Sequence, residues 1–287
     1  MKYKIATISR VGGRTNNQDA FGYRETENGI LMVVADGLGG VPRGELASQV
    51  VVESVCGNFI NHRAPIKNPK AFLIDLVEQA HRQVVDAGFR ENPPVRPCTT
   101  IIVCLVQGHS AWWVHVGDSR LYLIRDGKAV FRTRDHSPVE DLYRQGVITS
   151  DEIRFHPKRN YIARCLGGVV ECPKVEFGFQ TQLRKNDVLL LCSDGLWSQL
   201  DEKYIVHQVS GQTMDEALAM LGRAAEESGG AKSDNITAVV MRWLERKHPS
   251  SHTAGSSVLL PEDKDLEDAI DLINDAIAQF KDEMKGK

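Results

Sequence analysis

The sequence has no apolar stretch long enough to cross a bilayer. Its apolar runs, such as residues 31–35 and 188–192, are five residues long, whereas a membrane-spanning helix needs about 20. The first residues carry two lysines but lack the apolar centre of a secretory signal peptide. Together these absences predict a cytoplasmic protein that neither enters nor crosses a membrane.

Paired cysteine motifs and an excess of basic charge are also missing. None of the six cysteines belongs to a Cys-x-x-Cys pair and most lie in apolar stretches, so we expect buried free thiols rather than a disulfide framework or a zinc site. Lys and Arg number 35 against 38 Asp and Glu, a formal net charge of -3. This balance argues against a nucleic-acid-binding protein with a basic face.

Strand and helix signals alternate in an order that is typical of an α+β fold. Short runs rich in Val, Ile, Leu and Trp predict strands, and apolar residues at spacings of three and four predict helices over 43–61 and 71–87. Residues 213–216 form a Thr-x-x-Glu capping box that begins another helix. Because the long helices fall between groups of strands joined by tight turns, we expect antiparallel sheets covered by helices.

Composition divides the chain into a long folded body and an appendage. We predict a domain over 1–244, in which the long segment 137–168 has few strand signals and forms a flap. Residues 245–261 are small and polar, as in a flexible linker. Residues 262–287 have apolar residues alternately four and three apart, which predicts an amphipathic C-terminal helix. This helix would pack on the domain, dock on a partner or self-associate. It carries nine acids and four bases, so the rest of the chain is mildly basic.

Acidic residues lie at the ends of predicted buried strands, and these residues are Asp36, Asp118, Asp194 and Asp234. The Asp-Gly pair at 126 lies between two strand-like runs and predicts a hairpin turn, whereas the pairs at 36 and 194 precede Gly-rich or helix-opening sequence. Carboxylates gathered at the rim of one core repel unless cations neutralise them, and oxygen ligands favour Mg²⁺ or Mn²⁺. A glycine after the acid also leaves its backbone carbonyl open to a cation or its water.

Near the N-terminus, Arg14 and Asp19 follow a Gly-Gly pair. The planar guanidinium of arginine matches the oxygens of a phosphate group. Two divalent cations about 3.5 to 4 Å apart can activate a bridging water for in-line attack on phosphorus. Acids and arginine together therefore predict phosphoryl chemistry, although each of them alone is a weak signal.

Six motifs in order resemble the metal-dependent type 2C protein phosphatases in their bacterial form. They are Arg14-x-x-Asn-Gln-Asp19, Val34-Ala-Asp-Gly-Leu-Gly-Gly40, Gly117-Asp-Ser-Arg120, Arg134-Asp-His-Ser137, Cys192-Ser-Asp-Gly-Leu-Trp197 and Ser233-Asp-Asn-Ile-Thr237. The resemblance covers about residues 1–244. It implies an α+β, four-layer αββα sandwich in which two central antiparallel β-sheets are flanked by helix pairs. It also implies hydrolysis of phosphoserine and phosphothreonine on proteins by direct attack of a metal-bridging water, opposing a serine/threonine kinase.

The resemblance further implies which residues hold the metal ions. Two Mn²⁺ or Mg²⁺ ions are expected, with Asp36 bridging both and the carbonyl of Gly37 binding one of them. Asp194 and Asp234 would complete the coordination of the other ion. Asp118 corresponds to the ligand of a weaker third ion in bacterial relatives.

The resemblance implies three other residues near the metal ions or the substrate, and the predicted flap itself offers a fourth candidate. Arg14 would hold the substrate phosphate. Asp19 and Gln18 would act through metal-bound waters. His156, in the predicted flap, would either touch the substrate at the rim of the cleft or serve as a surface residue.

Three positions depart from the family pattern. Leu38 stands where many eukaryotic members have a histidine proposed as general acid, so no protein acid is assigned. Gln18 replaces a frequent glutamate, and Ser198 replaces an aspartate that helps to bind the third ion in some members. Two other functions stay open on the same fold: a catalytically silent phosphoprotein-binding scaffold and a hydrolase of small phosphate esters.

Overall fold

Most of the chain's long strands pair into two antiparallel sheets. The computed structural model describes residues 2–211 and 213–244. Neighbouring strands of the first sheet are, in order, β1 (Lys2–Arg10), β13 (Ile236–Leu244), β12 (Val188–Cys192), β7 (Arg120–Arg125) and β8 (Lys128–Arg132). The predicted linker over 245–261 and the predicted C-terminal helix over 262–287 lie outside the described residues.

The second sheet is built around three long, buried strands. Its order is β10 (Glu176–Phe177), β6 (Ser110–Val116), β5 (Ile101–Gln107), β3 (Gly29–Asp36) and β2 (Asp19–Thr26), and β11 (Thr181–Gln182) also pairs with β6. A separate short pair joins β4 (Cys98–Thr99) to β9 (Leu166–Gly167). Each of these strand pairings is antiparallel, which confirms that prediction.

Seven α-helices connect the strands of the described chain. They are α1 (Gly44–Asn61), α2 (Pro69–Arg90), α3 (Pro138–Arg144), α4 (Ser150–Ile153), α5 (Asp194–Trp197), α6 (Glu202–Gly211) and α7 (Met214–Gly229), and a 3₁₀ turn follows at Gly230–Lys232. Asn68 caps α2 by accepting the backbone N–H of Ala71 at 3.1 Å. Thr213 caps α7 through Glu216, as its capping box predicts. Among the described residues, no helix combines the length and apolarity that a membrane span requires.

Three apolar clusters show how the sheets and helices pack. One lies between the first sheet and α5 to α7, a second between the other sheet and α1 with α2, and the third between the two sheets. Neighbouring residues on β6 illustrate the alternation: Trp113 belongs to the cluster between the sheets, whereas Trp112 packs against the helix-covered cluster. The protein therefore has an α+β fold with antiparallel sheets and covering helices.

Local turn chemistry also follows the sequence. Asp126 and Gly127 have φ of 50° and 69° and join β7 to β8 as a hairpin turn, as predicted. Within 137–168 the chain forms α3 and α4, and Ser137 caps α3 by accepting the backbone N–H of Glu140 at 3.2 Å. The six cysteines are free thiols, and four of them are buried.

Candidate metal centre

Four of the predicted acids lie where strands begin or end. Asp19 begins β2 and Asp36 ends β3, and these two residues are directly paired across the ladder. Asp194 follows β12 by two residues and Asp234 precedes β13 by two. Because β12 and β13 are adjacent and antiparallel, the last residues of β12 lie beside the first residues of β13.

The acids lie close enough to raise one another's pKa values by charge repulsion. Removal from water, together with the charges of Asp19, Asp194, Asp118 and Asp234, raises the pKa of Asp36 well above its usual value. Burial raises the pKa of Asp194 to about 6, with Asp234 adding to the effect. Burial also raises the pKa of Asp19 to about 7, although hydrogen bonds to its carboxylate oppose the change. A cation bound among these carboxylates would relieve the repulsion.

Orphaned carboxylate oxygens test whether the residues fit a divalent cation. Asp118 is 1% exposed, and neither of its carboxylate oxygens has a hydrogen-bond partner among the described residues. One oxygen of Asp19 accepts the hydroxyl of Ser193 at 2.8 Å, while its other oxygen is buried and has no described partner. A buried carboxylate without donors is costly. These oxygens are the ligands that Mg²⁺ and Mn²⁺ prefer, so the donor set fits such ions.

Arg14 lies beside the acids and is half-exposed. Its Nη2 contacts Asp234 Oδ2 at 2.7 Å. This hydrogen bond raises the pKa of Arg14, and the charges of Asp194 and Asp36 add to the effect. The loop that carries Arg14 is fixed by the backbone N–H of Gly13, which donates to the carbonyl of Ser233 at 3.0 Å. A guanidinium so placed can bind an anion that enters the acidic centre.

Gly37 follows Asp36 in a tightly packed backbone. Its N–H donates to the carbonyl of Gln18 at 3.0 Å, and a Cβ at this position would collide with the carbonyl oxygens of Gly44 and Gln18. The structure therefore adds a steric requirement to the chemical reason for glycine. Gln18 also reaches Glu45, with Nε2 to Oε2 at 3.4 Å, and contributes its carbonyl rather than its side chain to the Gly37 turn.

Sequence reasoning missed a hydroxyl network that holds Asp36. Thr100 Oγ1 accepts the backbone N–H of Asp36 at 3.0 Å, and the N–H of Thr100 donates to the carbonyl of Asp36 at 2.8 Å. The same hydroxyl contacts Ser119 Oγ at 2.7 Å. The network therefore connects the backbone of Asp36 to the residue that follows Asp118.

Asn235 was also missed, although it belongs to the sixth motif. It is 4% exposed, and its Nδ2 donates to the carbonyls of Val11 at 2.8 Å and Asn16 at 2.9 Å. Its Oδ1 accepts the backbone N–H of Gln18 at 2.8 Å. A polar amide at the start of a buried strand was the available signal, and its role is to fix the loop that presents Arg14.

Two further predicted positions, His156 and Ser198, differ in their contacts with the acids. His156 follows α4, is partly exposed and accepts the backbone N–H of Lys158 on Nδ1 at 3.1 Å. The structure records no contact between His156 and the acids in the described part of the chain. Ser198 donates its backbone N–H to the carbonyl of Asp194 at 2.8 Å, and its hydroxyl accepts from Gln199 at 3.1 Å.

Comparison with known proteins identifies the family. The family Protein phosphatase 2C matches residues 9–245. The serine/threonine phosphatase Stp of Listeria monocytogenes is 30% identical over 234 residues, which cover 79% of this chain and 90% of that protein. Stp1 from Staphylococcus aureus aligns with a TM-score of 0.78 at 27% identity, covering 85% of this chain and 96% of that one. The catalytic domain of PstP, solved with two manganese ions, has a TM-score of 0.71 at 29% identity, with coverage of 85% and 99%.

The chain therefore belongs to the protein phosphatase 2C family. The family match includes the six motifs and both sheets, apart from the first residues of β1. Its acidic centre lies in the matched region, so the family assignment and the geometry concern the same residues.

Proposed function

We propose that this chain hydrolyses phosphoserine and phosphothreonine on proteins with the help of two Mn²⁺ or Mg²⁺ ions. The observation that carries the proposal is the meeting of acids from separate strand ends beside Arg14. Relatives named as serine/threonine phosphatases support it, as does PstP with its two manganese ions. When bound, such ions supply an activated water for in-line attack on phosphorus.

In this proposal each strand-end acid has a separate position around the ions. Asp36 would contribute to both ion sites, and the backbone carbonyl of its neighbour Gly37 would contribute to one of them. Asp194 and Asp234, from the adjacent strands β12 and β13, would hold the other ion. Asp118, whose two oxygens have no described partner, would hold a third and weaker ion. The αββα four-layer sandwich is part of the proposal, and the three apolar clusters support it.

The remaining residues would orient the phosphate and its attacking water. Arg14 binds phosphate oxygens through its planar fork. Asp19 and Gln18 orient water at the ions by hydrogen bonding. Leu38 carries no acidic proton, so no protein side chain is assigned as general acid for the leaving hydroxyl.

Exposed bases in and next to the predicted flap support an anionic protein as the substrate. Arg134, Arg144 and Lys158 are exposed, and none of them forms an ion pair with another described residue. By contrast, Arg132 is neutralised by Glu140 at 3.0 Å. Exposed positive charge near a site accelerates the approach of an anion. We place the phosphoprotein substrates downstream of a serine/threonine kinase in the cytoplasm.

The proposal is tested by following phosphate release from a phosphothreonine peptide with Mn²⁺ and after chelation. We expect turnover that depends on Mn²⁺ and falls at least about a hundredfold in Asp36→Asn, because a bridging carboxylate is lost. Asp126→Asn is the matched control, since it changes an Asp-Gly pair in a hairpin turn that accepts asparagine. Metal-independent turnover, or full activity of Asp36→Asn, would contradict the mechanism.

The same assay separates the two other functions. Tight binding of the phosphopeptide without turnover at any Mn²⁺ concentration would indicate a silent scaffold. Higher specificity for small phosphate esters than for phosphoproteins would indicate a small-ester hydrolase. We expect neither result, because every predicted metal acid is present.

A further inference from the structure

His136 binds both backbone polar groups of Gly117, the residue before Asp118. The backbone N–H of His136 donates to the carbonyl of Gly117 at 2.9 Å, and its Nδ1 accepts the N–H of Gly117 at 3.1 Å. Gly117 has φ of 107°, and a Cβ there would collide with Thr100. The side chain of His136, 8% exposed, therefore fixes a backbone conformation that favours glycine.

This fixation matters because the carboxylate of Asp118 has no hydrogen-bond partner among the described residues. Its direction depends on the backbone on either side. The carbonyl of Asp118 accepts Trp197 Nε1 at 3.0 Å, and the hydroxyl of Ser119 contacts Thr100 at 2.7 Å. His136 supplies the corresponding restraint on the N-terminal side, through Gly117.

The other edge of the His136 ring faces the second sheet and the end of the predicted flap. Because Nδ1 accepts a hydrogen bond, the ring proton of neutral His136 lies on Nε2, which donates to Glu176 Oε2 at 3.1 Å. Burial and the nearby His115 ring lower the pKa of His136 to about 4, so the ring is neutral near pH 7. The carbonyl of His136 accepts the N–H of Ala163 at 2.7 Å.

His115, His136 and Glu176 also resemble a metal-binding triad, since their potential ligand atoms lie within 4.8 Å of one another. The hydrogen bonds oppose that use. A metal on His136 Nε2 would require the ring proton on Nδ1, where it would meet the N–H of Gly117. Arg164 Nη1, 3.3 Å from Nε2, would repel a cation. The two imidazole rings are also stacked at 4.7 Å, so their lone pairs do not converge on one point.

We propose that His136 is a positioning residue that holds the backbone of Gly117 and thereby aims Asp118 at a metal ion. The inference rests on the metal centre in the proposed function. The Nδ1 edge of the ring accepts the N–H of Gly117, and the Nε2 edge binds Glu176.

Two isosteric substitutions separate the edges of the ring. In His136→Asn the amide oxygen can replace Nδ1 as the acceptor for the Gly117 N–H. In His136→Gln the amide reaches the Nε2 position instead, and the Gly117 N–H has no acceptor. Because a buried, unpaired N–H lowers an equilibrium constant about tenfold or more, we expect the dissociation constant of the weakest Mn²⁺ site to rise about tenfold in His136→Gln and to stay within about twofold in His136→Asn. Electron paramagnetic resonance of free Mn²⁺, titrated into the metal-free full chain, measures both values.

A second readout needs no metal and no activity. Hydrogen exchange of the Gly117 amide, followed by NMR in chelator, should accelerate at least about tenfold in His136→Gln and remain near wild type in His136→Asn. Glu176→Gln is the control, because it keeps an acceptor for Nε2 and leaves Gly117 untouched. Circular dichroism verifies that each variant is folded.

Two results would overturn the inference. Wild-type Mn²⁺ affinity and Gly117 exchange in His136→Gln would show that the bond positions nothing. Equal weakening in the Asn and Gln variants would show a general packing role. If the wild-type chain binds Mn²⁺ and the variants behave as expected, but phosphopeptide is not hydrolysed, then the proposed function fails and the positioning role stands.

Discussion

Asp19 and Asp36 are directly paired across the β2–β3 ladder, so two carboxylates lie side by side at the end of the hairpin farthest from its turn. Like charges in this arrangement destabilise a sheet. Burial raises the pKa of Asp19 to about 7, and burial together with the charge of Asp19 also raises the pKa of Asp36 well above its usual value. The paired carboxylates therefore destabilise the metal-free protein, and a bound cation would reduce this destabilisation.

Asp19→Asn should stabilise the metal-free protein increasingly as pH rises. The unfolded aspartate ionises near pH 3.9 and the folded one near 7, so the folded wild type binds more protons between these values and loses stability as pH increases. Asparagine has no such dependence. We expect the melting temperature of Asp19→Asn in chelator to exceed that of wild type by several degrees at pH 7.5, and by much less at pH 5.

Comparing the variant with wild type at each pH is necessary because buried histidines contribute the opposite slope. Burial lowers the pKa of His136 to about 4, so its contribution to stability is lost as pH falls below about 6.5. Added Mn²⁺ should close the gap between Asp19→Asn and wild type. A difference in melting temperature that stays constant from pH 5 to 7.5 would contradict the assigned cause.

Arg14→Ala should weaken substrate binding without destabilising the fold. Loss of a guanidinium that binds phosphate is expected to raise KM for a phosphothreonine peptide about tenfold or more, and Arg14→Lys should recover only part of it because lysine lacks the planar fork. The Arg14–Asp234 pair is partly exposed to solvent, so the free energy of unfolding should change by less than about 1 kcal/mol. Arg24→Ala, an exposed change on β2, is the control. An unchanged KM would exclude phosphate binding by Arg14.

Asp135→Ala should be strongly destabilising. Asp135 accepts two hydrogen bonds from Arg120, at 2.9 and 2.7 Å, and both residues are buried. The guanidinium also lies 3.4 Å from the ring centroid of Trp197. Removing the carboxylate leaves a buried charge unpaired, which costs about 3 to 5 kcal/mol. Urea unfolding measures the loss, with the exposed Asp141→Ala as reference, and a loss below about 1 kcal/mol would refute the role of the ion pair.

A chain that ends at Leu244 should retain turnover of a small chromogenic phosphate ester with Mn²⁺. Strand β13 is complete at Leu244, where it pairs with Lys2 of β1, and the predicted metal ligands all precede this point. We expect kcat within about twofold of the full chain, because the removed segment contains none of the predicted metal ligands or phosphate-binding residues. Loss of turnover in a folded truncation would place the tail in catalysis. Circular dichroism of the shortened chain distinguishes that outcome from unfolding.

Much of the architecture was predictable because its signals are local. A positive-φ Asp-Gly pair, a Thr-x-x-Glu cap and the alternation of Trp112 and Trp113 are each decided within a few residues. Helix ends were less accurate: the helix predicted over 71–87 extends from Pro69 to Arg90. Asn68 and the proline after it set its true beginning, which periodicity alone does not show.

The sequence by itself determined that acids end several buried strands and that Arg14 precedes them, because strand periodicity and residue type are properties of neighbours along the chain. Only the tertiary structure decided which distant side chains fix the backbone around these residues. Asp36 is bound by Thr100 across 64 residues, Gln18 by Asn235 across 217 and Gly117 by His136 across 19. Such bonds, and the raised carboxylate pKa values, depend on sheet register and burial, which arise only when distant segments pack together.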